Sequence, residues 1–91
     1  MSDAKGLDGH HRTTVERIFR HPTSHNIQWH DVLSLLRTVG TVEEHHEGRY
    51  TVTLGEETQT FDTARHRELD DQAVVDLRRM LRGVEVVPDQ E

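Results

Sequence analysis

TVEEHHEGRYTVTLGEETQTFD, residues 41–62, alternates along most of its length, and its reading decides the fold. Val42, Glu44, Tyr50, Val52 and Leu54 share one parity, while Thr41, Glu43, His45, Arg49, Thr51 and Thr53 share the other. A side-chain period of two belongs to strands with one buried face. His46-Glu47-Gly48 reads as a three-residue loop with glycine where positive φ is needed, and it pairs Val42 with Val52. Gly55-Glu56 reads as a two-residue turn with glycine first, which sets Phe61 opposite Tyr50. A slip of one residue would turn the apolar set to solvent, so the register is well specified. The segment predicts a three-stranded antiparallel meander. One face is apolar; the other, threonine-rich and charged, is left to solvent or a partner.

Helical patterns flank the meander. Trp29, Val32, Leu33, Leu36 and Val39 form an apolar stripe at helical spacing, broadened by Leu35. Gly40 is placed to stop that helix in the left-handed conformation. Beyond the strands, Asp70 is a capping residue, with Leu69 before it positioned to staple onto Val74. Val74, Leu77 and Leu81 carry the stripe of this last helix, and Gly83 ends it. Arg78, Arg79 and Arg82 fall in its last turns, where cations complement the helix dipole. Upstream, Thr13-Thr14-Val15-Glu16 has the form of a capping box, with Val15, Ile18 and Phe19 following. Pro22 ends that first helix near Arg20.

The predicted class is therefore α+β, in the order α-α-β-β-β-α, with the helices on one face of the sheet. Ninety-one residues suffice for one domain, expected over residues 11–84. Residues 1–10 read as a polar, disordered segment, and residues 85–91 as an acidic tail in which Val86 and Val87, with Val84 before them, could dock. Apolar residues are 32% of the chain and charged residues 31%, so the core is small. A domain of this size buries roughly two thirds of the surface its unfolded chain exposes.

There is no cysteine, which excludes disulfides and thiolate metal sites. No apolar run approaches the roughly 20 residues of a membrane span. The stretch before His10 has one lysine and no hydrophobic segment, unlike a signal peptide, so the expected location is cytoplasmic. The net charge of −6 leaves little cationic surplus for nucleic acid, so any RNA contact must come from a local patch.

Eight histidines raise the question of a metal. His21, His25 and His30 have ligand-like spacings, but they fall around Pro22 and not along one helix face. They are read as solvated or hydrogen-bonded, with His25 and Asn26 locking the joint between the first two helices; no metal or other cofactor is expected. Trp29, the single tryptophan, reads as a core anchor. Arg65, His66 and Arg67 stand between the third strand and the last helix, whose N-terminus favours anions, and Arg49 on the outer sheet face could join them. The competing reading of this group is an ordinary charged loop paired with Glu68, Asp70 and Asp71. No glycine-rich phosphate loop, nucleophile elbow or HExxH motif is present.

The run from Trp29 to Gly83 resembles the HicA family of small bacterial toxins. The features are Trp29-His30-Asp31-Val32 opening a helix, Leu35-Leu36 before Gly40, three strands, His66-Arg67-Glu68-Leu69, and a final helix ending Leu77-Arg78-Arg79-Met80-Leu81. The resemblance implies a fold similar to the double-stranded-RNA-binding domain over residues 29–83, a link to toxin–antitoxin pairs, and RNA and an antitoxin-like protein as partners. Two positions depart from the family. Tyr50 stands where its catalytic histidine would fall, and Arg65 stands where proline usually precedes the later histidine. An imidazole with pKa near 6.5 exchanges protons at neutral pH, whereas a phenol near 10 is a poor base. Tyr50 is also expected in the core beside Phe61. The resemblance therefore implies an RNA-binding domain more than an mRNA interferase. If the chain does cleave RNA, His66 is the expected proton-transfer residue, with Arg49, Arg65 and Arg67 holding phosphates. The rival reading is a non-catalytic protein-interaction module on the same scaffold.

Overall fold

A computed structural model describes residues 8–20, 27–63 and 68–88. Helix α1 is Gly9–Phe19, α2 is Trp29–Val39, strands β1, β2 and β3 are Thr41–Glu44, Arg49–Leu54 and Glu57–Asp62, and α3 is Asp71–Gly83. The strands form one antiparallel sheet in the order β1-β2-β3. The class is α+β with the expected order of elements.

The register follows the alternation. Val42 pairs with Val52 and Glu44 with Tyr50 across β1 and β2, while Tyr50 pairs with Phe61 across β2 and β3. Val52, Leu54 and Phe61 are buried beneath the helices. On the open face, the Thr51 and Thr60 hydroxyls are 3.2 Å apart and those of Thr53 and Thr58 are 3.0 Å apart. These cross-strand pairs satisfy polar side chains without a partner layer. The β1–β2 turn needs positive φ at two residues, Glu47 (65°) and Gly48 (75°), one more than the sequence suggested. Gly55 has φ 61°, as a glycine-first turn requires.

Gly40 closes α2 for a different reason from the one expected. Its φ is −158° and ψ is −148°, which is not left-handed. A side chain there would collide with Leu54 Cδ2 and the Thr53 carbonyl oxygen. Glycine is required by the close approach of β2 to the α2–β1 junction.

Helix α1 starts earlier than the capping box suggests. Asp8 is its N-cap, accepting from the His11 backbone N–H at 2.9 Å. Thr13 and Thr14 lie inside the helix, and their hydroxyls donate back to the carbonyls of Gly9 and His10. Asp8, Gly9 and His10 thus form the cap and first turn of α1. Capping at Asp8, five residues before Thr13, lengthens the helix by more than one turn. The helix stops at the Arg20 cap, as expected.

Helices α2 and α3 lie on the sheet, and α1 packs against both. Val15, Ile18, Val32, Leu35, Leu36, Val74, Leu77, Met80 and Leu81 form the buried heart between them. Asp70 caps α3, accepting from the Ala73 N–H at 2.8 Å. Leu69 packs partly buried against the core. At the C-terminal end, Val86 is 3% exposed, and Val84 and Val87 pack against the core. The Val86 N–H donates to the Leu81 carbonyl, folding the segment back over the end of α3.

The arginines of α3 serve neighbouring elements. Arg78 donates to the carbonyls of Ile18 and Arg20 at the end of α1. Arg79 pairs with Glu57 and with Asp76, and the hydrogen bonds it donates to the Glu57 carboxylate hold its guanidinium above its ordinary pKa. Asp76 is buried and also accepts from Gln59 and Gln72, so its desolvated carboxylate is fully engaged.

Candidate functional site

Tyr50 is the second residue of β2, close to the end of the sheet where helical cover is incomplete. Its ring is half-buried and not in the core. Its hydroxyl donates to Glu44 Oε2 across the strand pair at 3.4 Å. The aromatic core beside it is made by Trp29 and Phe61, 6% and 5% exposed. Their ring centroids are 5.4 Å apart at an interplanar angle of 52°. This tilted contact makes Trp29 the anchor of α2.

Displaced from the interior, Tyr50 becomes a wall of a cleft of about 350 Å³. Gln28, Trp29, His30, Leu33, Arg37 and Thr63 complete the lining. His30, Leu33 and Arg37 come from one stripe of α2, at intervals of three and four residues. Leu33 and Trp29 are buried and give the cleft an apolar floor. His30 and Arg37 are exposed at its rim, and no other described residue engages the Arg37 guanidinium. Thr63 is held beside the sheet end by Gly48, whose carbonyl accepts from both its N–H and its hydroxyl. Gln28 is fixed by an isolated bridge to Glu68 and by donating to that carboxylate.

The expected phosphate-holding group is only partly visible. Arg65, His66 and Arg67 lie outside the described residues. Arg49 is exposed on the open sheet face, paired in register with Asp62. Because successive strand residues face opposite ways, the sheet separates Arg49 from the Tyr50 cleft. Arg37, Gln28 and Thr63 were not singled out by the sequence, and His30 was weighed only for its spacing from His21 and His25. The usable signal was the stripe His30-Leu33-Arg37 on the helix that Trp29 anchors beneath Tyr50.

A second, smaller cleft of about 210 Å³ lies between β3 and the start of α3. Its lining includes Asp62, Glu68, Asp70 and Asp76. Trp29 stands between the two clefts; the acidic side chains line the second, while Glu44 and Glu68 reach the first only through their hydrogen bonds to Tyr50 and Gln28. Among the described residues no group of three or more histidine, aspartate or glutamate side chains could hold a metal ion. Several histidines are held by polar neighbours: His10 Nε2 is 3.2 Å from Asp31 Oδ1, His11 Nε2 is 3.3 Å from Thr38 Oγ1, and His45 Nε2 is 2.9 Å from Thr51 Oγ1. His21, His25 and Asn26 lie outside the described residues. No helix among the described residues is long and apolar enough to cross a membrane.

Chemically, the first cleft offers a flat aromatic wall, an apolar floor, a cation at the rim and a few polar atoms. That combination suits a planar ligand carrying negative charge. Comparison with protein-family models, with curated proteins and with solved structures finds no match to this chain.

Proposed function

We propose that this chain is an RNA-binding domain, HicA-like in layout and related to toxin–antitoxin pairs, that binds RNA without cleaving it. The observation carrying the reading is Tyr50 itself. At the strand position where the resembled family has its reactive imidazole, a phenol forms the wall of a cleft rimmed by Arg37 and His30. An aromatic ring beside a guanidinium suits stacking on bases and pairing with phosphates, whereas a phenol is intrinsically a poorer general base than an imidazole. Local charge supports the reading despite the net charge of −6, because much of the acid near α3 lines the other cleft.

The test is an electrophoretic shift with unstructured RNA at two salt concentrations, run beside a cleavage assay. The expected result is a shift at low salt that fades at higher salt, with the RNA intact. Absence of a shift at low salt sinks the proposal. Cleavage by the wild-type protein that disappears in His66→Ala would replace it with an interferase mechanism through that histidine.

The acidic balance favours a second reading, a protein-interaction module in which an antitoxin-like partner is the ligand. Its mark is a stable complex with such a partner and no RNA shift at any salt concentration.

A further inference from the structure

We propose that the Tyr50 cleft is a site for one nucleotide, with the base against the Tyr50 ring, the phosphate at Arg37, and guanine preferred among the bases. The proposal deepens the RNA reading and rests on it for the longer ligand, although a free nucleotide offers the same chemistry.

Size comes first. About 350 Å³ falls within the roughly 300–1,000 Å³ range of small-molecule clefts. A helix or duplex is too broad for it, whereas one unpaired nucleotide is a compact body with a flat face. The half-buried Tyr50 ring supplies a stacking surface, with Leu33 and Trp29 beneath. Stacking on an aromatic ring is open to every base, so it gives affinity without selection.

Charge sets the orientation. Arg37 brings a guanidinium to the rim, and no other described residue engages it. A guanidinium forks onto phosphate oxygens with two parallel N–H donors. Glu44 holds the Tyr50 hydroxyl but does not line the cleft, and the acidic cleft beside α3 is a separate cavity.

Hydrogen-bond accounting gives the preference. The Tyr50 hydroxyl is directed to Glu44 across a long 3.4 Å contact, the Thr63 hydroxyl proton goes to the Gly48 carbonyl, and one Gln28 amide proton goes to Glu68. What these three side chains still offer is mainly acceptor capacity: the Tyr50 oxygen, the Thr63 oxygen and the Gln28 carbonyl. With the Arg37 donors turned to phosphate, the acceptors of Tyr50, Thr63 and Gln28 select a donor-rich base. Guanine presents a ring N–H and an adjacent amine, adenine and cytosine present an amine alone, and uracil a single ring N–H. The predicted order is guanine first and uracil last.

Trp29 is the only tryptophan and lines both clefts, so its fluorescence reports binding, and the Tyr50 and Arg37 variants assign the response to this cleft. The experiment titrates the whole chain with GMP, AMP, CMP, UMP and guanosine, and with a single-stranded oligouridylate carrying one central guanine. Expected are a Trp29 response to GMP stronger than to UMP, weaker binding of guanosine than of GMP, and loss of response in Tyr50→Ala. Arg37→Ala should weaken GMP about tenfold and guanosine much less, as one charge-assisted contact predicts. Arg37 is exposed, so this variant tests the site even if Tyr50→Ala fails to fold. If the oligonucleotide shifts but no mononucleotide perturbs Trp29 and Arg37→Ala changes nothing, the cleft assignment is wrong while RNA binding stands. If GMP binds and the oligonucleotide does not, the RNA reading fails and the nucleotide site survives. Equal binding of all four bases removes the guanine preference, and no response to any ligand removes both proposals.

Discussion

The guanidinium of Arg78 on α3 donates through Nε to the carbonyl of Ile18 at 2.7 Å, across a separation of 60 residues. The same side chain reaches the Arg20 carbonyl at 2.9 Å. The last carbonyls of a helix have no partner within it, and a cation there also complements the dipole. Arg78 therefore ties the end of α1 to α3. Replacing it by methionine keeps the apolar stem but leaves both carbonyls unserved. Arg78→Met is expected to lower the unfolding free energy by about 1–3 kcal/mol in urea titration. Arg78→Lys should recover only part, since an ammonium does not span two carbonyls as a planar fork does.

Gly40 should be intolerant of alanine. The added carbon meets the Thr53 backbone oxygen as well as the end of Leu54. A leucine terminus can rotate away, but a carbonyl in a strand ladder cannot. Gly40→Ala is expected to cost about 3 kcal/mol or more. Thermal unfolding followed by circular dichroism would show it, and a midpoint equal to that of the wild type would refute the contact.

Val86 tests whether the C-terminal segment belongs to the domain. It is 3% exposed and held back over α3. Val86→Ala removes two buried methyl-sized groups and should destabilise by about 2 kcal/mol. Removal of residues 84–91 should do more. A truncated chain with undiminished stability would mean that the segment only rests on the surface.

Asp8 links stability to pH. The His11 backbone N–H holds its carboxyl below the ordinary value of 3.8, with the charges of His11 and His10 adding in the same direction. The folded state thus favours the ionised form. Its stabilisation is fully present above 3.8 and is lost as pH falls from there through the lower folded pKa. Asp8→Asn keeps a good capping side chain and removes the titration. The stability difference between the two proteins should narrow as the solution is acidified through that range, and a difference independent of pH would exclude the linkage.

Tyr50→Phe separates fold from ligand. The lost hydrogen bond to Glu44 is long and solvent-exposed, so stability should change by less than about 1 kcal/mol. The ring remains, so stacking should persist while the base preference weakens. A large loss of stability would mean that Tyr50 is a core residue after all.

Strand register was legible because it depends on short-range chemistry. Alternation fixes which side chains share a face, and Gly48 and Gly55 supply the turns that align Val42 with Val52 and Phe61 with Tyr50. The bounds of α2 were equally readable from its apolar stripe. The start of α1 was not, because Asp8 and Thr13 are both acceptable caps and only packing and the first carbonyls choose between them.

The site depends on distances that no sequence interval encodes. Parity placed Tyr50 on the inner face correctly, yet parity does not tell how far helical cover extends along a strand. Trp29 and Phe61 occupy the covered part, leaving Tyr50 at the edge where His30 and Arg37 face it. Gly40 shows the same division: its identity was read correctly and its reason was not, because a steric clash with Thr53 exists only once β2 lies beside the end of α2. The amino-acid order by itself determined the elements, their order and the register, all set by backbone geometry over a few residues. The tertiary structure alone decided which aromatic ring is core, which is cleft wall, and which arginine serves a neighbouring helix, because those outcomes turn on contacts between segments distant in the chain.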